Sequence, residues 1–415
     1  MHRTMVMVFT RRHWIPPGAL LFAQLSHGAS WPILALGALS ASAWSLGFYA
    51  IAWIHTVALG WATMAALAVL LHVVPQFTDV RWRYENLARR SVFAFALGVA
   101  LFVAALLLRP SAIAWGAALT LLAVLGYAFA AFATLARALN GERLERAIAR
   151  ALGTTLLFLV LTALAGFALA AAIAGYPVPA WMASLPATHA SLGMFGWLSL
   201  LVFGVSARTV RPITGDKSRF RGAHIAVGSL ALVGVALLAI GLAGVPPLVW
   251  PGAGLLGVAV DIYAFDMVDV VRRATVPHRV PQAFLLAGVT WLVCGAVLGA
   301  GTLAGKPWEL AYGFVILAGW IGQMVDAHVY HIGVRLLLTI YLGDDDETRP
   351  ERVLDGRLSW FSFGAFQIAI ASAAIGLLTH AAALLCAGAA FGLLGWLAMM
   401  LNLVAARNAA RALAA

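Results

Sequence analysis

Charged residues are scarce in this chain. Of its 415 residues, only 10% are Asp, Glu, Lys or Arg, whereas 63% are hydrophobic and the mean hydropathy is +0.94. Such a composition excludes a water-soluble globular protein and predicts that lipid surrounds most of the chain. We therefore expect an all-α, polytopic membrane protein with a single transmembrane domain over residues 1–415.

Cysteines are rare in the chain, and acidic residues are fewer than basic ones. The chain has 16 acidic and 27 basic residues, so its net charge is +11. The basic residues lie in short clusters between apolar runs, which suits the headgroups of a lipid bilayer and makes nucleic acid an unexpected partner. The two cysteines, Cys294 and Cys386, lie in separate apolar runs, which excludes a disulfide framework and a Cys-x-x-Cys metal site.

The N-terminal stretch MHRTMVMVFTRRHW has no small-residue cleavage pattern. The first span is therefore expected to be its own insertion signal. Most of the 15 tryptophans lie near predicted span ends, a position typical of the interfacial aromatic belt.

Apolar runs long enough to cross a bilayer, about 20 residues each, divide the chain into about twelve predicted spans. Lys and Arg accumulate at the N-terminus and after every second span, with Arg109 and Lys306 as exceptions, so both termini are predicted to be cytoplasmic. The spans are placed near residues 17–39, 46–75, 91–109, 111–137, 149–175, 186–209, 223–244, 248–272, 281–303, 308–340, 358–379 and 381–405.

Three of these spans carry versions of one pattern around a Gly-Trp pair, which predicts a threefold pseudo-repeat. They are the helices near 46–75, 186–209 and 308–340, with the pair at Trp61, Trp197 and Trp320. Eleven residues after each tryptophan the three copies have, in order, His72, Arg208 and His331. Upstream, the first copy has His55 and the second His189, whereas the third has Tyr312 and Phe314.

The second copy, HASLGMFGWLSLLVFG at residues 189–204, resembles the H-x-H-x-x-x-F-G-W helix of haem–copper oxidases and nitric oxide reductases. The first, IHTVALGWATMAALAVLLHVVPQF, resembles the second helix of that superfamily and of the haem- and copper-binding NnrS membrane proteins. The stretch SARTVRPITGDKSRFRG at residues 206–222 is also similar to NnrS proteins. The resemblance implies the fold of haem–copper oxidase subunit I, in a bacterial inner membrane.

By this resemblance, His55 corresponds to a ligand of the low-spin haem and His189 to a copper ligand. His27 and His380 are further candidate metal ligands, because both are predicted to lie in the same half of the membrane. Ser191 replaces the second histidine of the motif, so the resemblance implies haem or copper without a full oxygen-reducing centre. The expected role is in respiration or nitric oxide handling.

The resemblance also bears on partners. There is no Cys-x-x-Cys-His motif of an attached cytochrome c, so electrons are expected from another protein or from quinol. Other membrane subunits are further candidate partners.

Buried polar residues of the eighth and tenth spans support a different class of function, a proton-coupled transporter or channel on the same fold without a cofactor. Asp261 lies deep in an apolar run, and Asp326, His328 and His331 follow one another on the tenth span. Ionisable groups at this depth either relay protons or form a buried polar network. Both interpretations stay open from the sequence.

Overall fold

The structure is a computed structural model that describes residues 17–40, 47–215, 223–343 and 348–415. Within these ranges there is no β-strand. Twelve long helices follow one another: α1 (Pro17–Leu39), α2 (Phe48–Thr78), α3 (Glu85–Leu108), α4 (Pro110–Ala138), α5 (Arg143–Ile173), α6 (Ala180–Ser206, with helical backbone continuing to Thr214), α7 (Ala223–Gly244), α8 (Val249–Arg272), α9 (Arg279–Leu303), α10 (Glu309–Leu342), α11 (Gly356–Thr379) and α12 (Ala382–Ala414).

The prediction of an all-helical, polytopic membrane protein is confirmed, and each predicted span lies on one helix. Among the described residues, eleven of the helices are long and apolar enough to cross a membrane. The helix outside this set is α8, which carries Asp261, Asp266 and Asp269. The N-terminal basic cluster and residues 216–222 of the NnrS-like stretch lie outside the described residues.

The helices α2, α6 and α10 form the centre of the bundle. In their most apolar stretches 72%, 61% and 78% of the residues are buried, against 28–50% in the other eight candidate spans. These are the three helices on which the sequence places the Gly-Trp pattern.

Each central helix changes from α- to π-helical geometry at its Gly-Trp pair, over Thr56–Thr63, Leu192–Ser199 and Val315–Ile321. Such wide turns are rare and often lie at functional sites. A side chain from the preceding helix of the chain covers each glycine, so close that an added methyl group would lie 2.6–2.8 Å from it: Ser26 of α1 covers Gly60, Phe158 of α5 covers Gly196, and Trp291 of α9 covers Gly319.

The tryptophans of these pairs connect the central helices. The indole N–H of Trp197 donates to the hydroxyl of Thr63 (2.9 Å), and that of Trp320 donates to Ser199 (3.1 Å). Each acceptor lies two residues after the tryptophan of its own helix. The matching position on α10 is Gly322, which has no hydroxyl, and the ring edge of Trp61 lies against it.

A proline in α2 creates an unpaired carbonyl that a distant side chain satisfies. Pro75 has no N–H to donate to the carbonyl of Leu71, four residues before it. The indole N–H of Trp82, in the turn after α2, donates to that carbonyl instead (2.8 Å). Tyr127 of α4 donates to the carbonyl of Leu67 one turn earlier (3.1 Å). These bonds hold the end of α2 in place.

Candidate functional site

His55 ends the α-helical first part of α2, one residue before the π-helical segment. Its Nδ1 lies 2.8 Å from the carbonyl oxygen of Ile51 on the same helix. Because a carbonyl oxygen can only accept, Nδ1 carries the proton of this bond. The half-buried ring packs against Phe102 of α3, with centroids 5.0 Å apart.

His189 holds the corresponding place on α6, shortly before the π-helical segment of that helix. Its Nδ1 lies 3.0 Å from the carbonyl oxygen of Thr162 on α5, which again fixes the proton on Nδ1. The ring lies against Gly166, one turn further along α5, where an added methyl group would come within 2.9 Å of Cε1. Gly166 therefore provides the space that the imidazole occupies.

The structure brings His55 and His189 together. Their ring centroids are 6.1 Å apart and their planes differ by 17°. Among the described residues neither Nε2 atom has a hydrogen bond. Because Nδ1 carries the proton in both rings, both Nε2 lone pairs are available to a ligand.

The pair has the surroundings of metal-ligating histidines. Such histidines almost always donate their second ring nitrogen to a carbonyl, a carboxylate or water, which fixes the tautomer and the ring. Imidazole nitrogens are common ligands of copper and iron, so the two Nε2 atoms would be the groups that hold a metal. Neutral imidazole donors suit haem iron or copper, which would supply one-electron chemistry there.

His27 and His380 make no contact with this pair among the described residues. His27 is buried in α1, where its ring stacks on Trp61 (3.6 Å between centroids, 9° between planes) and on Phe366 of α11 (5.2 Å). His380 is exposed at the end of α11, in a left-handed conformation with φ 56°. In the described part of the chain, no three His, Cys, Asp or Glu side chains are grouped so that they could hold a metal ion.

The third copy of the repeat places aromatic rings where the others have histidines. Phe314 stacks on Trp53 of α2 (4.9 Å), and Tyr312 stacks on Phe195 of α6 (6.3 Å). Both rings help to pack α10 into the centre of the bundle.

Asp326 lies at the centre of the bundle, on the cavity described below, and only 1% of its surface is exposed. His328 connects α10 to α6, because its Nδ1 lies 2.6 Å from the carbonyl oxygen of Met324 and its Nε2 lies 2.8 Å from the hydroxyl of Thr209. Because both ring nitrogens of His328 are hydrogen-bonded, this residue has a structural role in joining α10 to α6.

The other two residues of the predicted polar network lie elsewhere. His331 is half-buried in the second π-helical segment of α10, Val329–Gly333. Asp261 is exposed on the surface of α8, whereas Tyr263 of the same helix points inward and is hydrogen-bonded to Ser206 (2.8 Å). The structure therefore does not bring Asp261 to Asp326.

A narrow cavity between α1, α2, α10 and α11 was not predicted from the sequence. It has room for about one water molecule. Its polar lining comes from residues that are at most 3% exposed: His27, Ser30, Trp31, Trp53, Trp61, Gln323 and Asp326. The cavity is lined by two residues to which the sequence assigns separate functions. His27 is a predicted metal ligand, and Asp326 belongs to a predicted polar network.

Comparison with known proteins adds no family to this description: no family model matches the chain, and no curated protein matches it.

Proposed function

We propose that this integral membrane protein binds haem or copper through His55 and His189. The observation that carries the proposal is the pairing of the two rings, 6.1 Å apart, each with Nδ1 bonded to a backbone carbonyl and Nε2 without a hydrogen bond among the described residues. The arrangement fixes two neutral donors in advance, so binding costs little reorganisation.

The family and location form part of the same proposal: a relative of haem–copper oxidase subunit I and NnrS proteins in a bacterial inner membrane, with both termini cytoplasmic. Three features support it. The central helices α2, α6 and α10 share π-helical Gly-Trp segments, a preceding helix covers each glycine, and tryptophan–hydroxyl bonds connect α6 to α2 and α10 to α6. These relations fit a threefold pseudo-repeat.

The proposed role is in respiration or nitric oxide handling, without a full oxygen-reducing centre. The rings of Tyr312 and Phe314 occupy the places where α10 would supply further ligands. When bound, the metal group supplies one-electron chemistry. The chain itself holds the two imidazoles, sets their tautomers and packs Phe102 beside His55. The proposed electron donor is another protein or quinol.

The test is an oxidised-minus-reduced optical spectrum with metal analysis on detergent-purified protein. We expect a haem band or stoichiometric copper in the wild type and its loss in His55→Ala and in His189→Ala. His380→Ala is the matched control, since that exposed side chain makes no contact with either ring among the described residues, and it should keep the wild-type spectrum. Folded wild-type protein without haem or metal would contradict the proposal.

A proton-coupled transporter or channel is the second candidate function, and one observation favours it. Asp326 is 1% exposed at the centre of the bundle, and its Oδ1 has no hydrogen-bond partner among the described residues. An unpaired carboxyl at such depth is typical of proton pathways in membranes. For this candidate, Asp326→Asn should abolish proton-coupled transport in vesicles and leave any haem spectrum unchanged. Asp261→Asn, on the exposed surface of α8, is its control.

A further inference from the structure

Five of the residues that line the central cavity each have a buried polar atom without a hydrogen-bond partner among the described residues. Four of these atoms are ring nitrogens and one belongs to a carboxyl: His27 Nδ1, Trp31 Nε1, Trp53 Nε1, Trp61 Nε1 and Asp326 Oδ1. Buried polar atoms in native proteins almost always have a partner in protein or ordered water. Five such residues around one cavity indicate that a bound molecule belongs there.

The indole N–H of Trp61 can donate to a bound molecule because it is not used in the contacts between the central helices. The indole N–H groups of Trp197 and Trp320 each donate to a hydroxyl of the preceding central helix in the chain. Trp61 meets Gly322 instead, through the far edge of its six-membered ring. Its N–H therefore has no partner among the described residues, while its ring face lies on His27 (3.6 Å between centroids).

The residues that line the central cavity determine which molecule can bind in it. Indole N–H groups can only donate, so they do not ligate a metal ion and they need an acceptor. The size of the cavity excludes a ligand larger than about one water molecule. A water molecule accepts from indoles and donates to the carboxyl or the imidazole, and a polar cavity of this size with two to four partners is what a buried water needs.

The surroundings leave few groups with which that water can exchange a proton. The titratable side chains at the cavity are His27 from α1 and Asp326 from α10, with Tyr330 one turn further along α10. From α2 and α11 the cavity receives only aromatic and aliphatic side chains, and no Lys or Arg lines it.

We propose that the cavity binds a single water molecule that joins Asp326 to His27 and passes a proton between them. In the resting state the carboxyl is neutral, since an unpaired buried carboxylate is costly, and His27 is neutral too. The step moves one proton from the Asp326 carboxyl to the water and one from the water to His27 Nδ1. It leaves a carboxylate and an imidazolium, so charge and protons balance. This site is separate from the His55–His189 pair.

Infrared spectroscopy of the full-length protein tests the proposal. The wild type should show a carboxylic acid C=O band that shifts in D₂O and is absent in Asp326→Asn. The same band should change frequency in His27→Phe and in Trp61→Phe, which keep the ring stack but remove a hydrogen-bonding nitrogen. Asp269→Asn is the control, since that carboxylate pairs with Arg273 (2.6 Å) at the end of α8, and it should leave the band unchanged. An ionised Asp326, or a band insensitive to His27→Phe, would overturn the proposal.

An experimental density map of the wild-type protein gives a second test that needs no variant. We expect one water peak within hydrogen-bonding distance of Trp61 Nε1 and Asp326. A dry cavity, or a metal ion in that place, would refute the assignment. Both tests are independent of haem or copper, so the failure of the His55–His189 proposal would not decide this one.

Discussion

Gly166 sets how closely the ring of His189 can approach α5. In Gly166→Ala the new methyl group would lie 2.9 Å from Cε1 of the imidazole, so the ring has to move away from its carbonyl partner on Thr162. Disturbing the groups that orient a ligand typically costs about 10- to 100-fold in metal affinity. We expect a loss of that size in a haem or copper titration, although both histidines remain.

Gly153 offers the control on the same helix, because an added methyl group there meets nothing closer than 4.0 Å. Gly153→Ala should keep the affinity of the wild type. Equal affinities in all three proteins would argue against His189 as a ligand.

Gly322 makes room for the indole of Trp61 in the centre of the bundle. A methyl group there would come within 3.0–3.1 Å of two ring carbons, and the ring cannot retreat easily because its face lies on His27. Overpacking of this kind typically costs about 1–3 kcal/mol. We expect Gly322→Ala to lower the thermal midpoint in detergent.

Gly313→Ala on the same helix is the control for Gly322→Ala, because an added methyl group at Gly313 has open space around it. Alanine is the better helix former, so this variant should be as stable as the wild type or slightly more stable. A Gly322→Ala protein that is as stable as Gly313→Ala would show that Trp61 is loosely held.

At the scale of single helices, the contact of Trp82 with the end of α2 depends on the proline within that helix. Trp82→Phe removes the donor to the carbonyl of Leu71, and an unsatisfied buried acceptor costs about 1–3 kcal/mol. In a Pro75→Ala background, the new backbone N–H can reach the same carbonyl. We therefore expect the loss from Trp82→Phe to be smaller in that background.

A double-mutant cycle on thermal or denaturant unfolding measures this coupling. Tyr127→Phe, which removes the neighbouring bond to Leu67, is the control and should cost the same with and without the proline. Additive effects of Trp82→Phe and Pro75→Ala would mean that the indole bond does not replace the missing helical bond.

Hydropathy was enough to locate the helices but not to describe their geometry. The predicted span at 223–244 agrees with α7 at both ends, and 17–39 agrees with α1. The π-helical segments of α2, α6 and α10 were not predicted, since a wider turn has the same composition as an ordinary one. The shared Gly-Trp pair marked their positions without showing their form.

The candidate site was predictable only where the repeat aligned residues from different helices. His55 and His189 precede equivalent tryptophans, and they meet in the structure. The cavity was not predictable, because the general expectation that tryptophans lie at the membrane interface does not single out Trp31 and Trp53, which lie in the core. Which side chain faces a deep tryptophan depends on how helices distant in sequence pack, and local patterns do not contain that information.

At the scale of the whole molecule, the orientation of the termini depends on α8. Eleven crossings put the two ends of a chain on opposite sides of a membrane, and twelve put them on the same side. Three aspartates disfavour insertion of α8, but Asp269 lies near its end and pairs with Arg273. We expect α8 to cross and both termini to lie in the cytoplasm.

Reporters fused to the N-terminus and to the C-terminus of the full chain test whether both ends lie on the same side of the membrane. A labelling reagent that cannot cross the membrane should react with both reporters or with neither. A third reporter between α7 and α8 should lie on the opposite side from the termini. Opposite results for the two termini would show that α8 does not cross.

The π-helical segments give the bundle an unusual tolerance of changes in chain length. A π turn holds about one residue more than an α turn, so the loss of one residue from Thr56–Thr63 can convert the segment to regular helix while the two halves of α2 keep nearly the same rotation relative to each other. In a regular helix, the same deletion rotates one half against the other by about 100°. We expect single-residue deletions in this segment of α2 to yield folded protein, whereas a deletion in α7, which has no π turn, should prevent folding. The central helices would then accept a loss of one residue that an ordinary helix of the bundle does not accept.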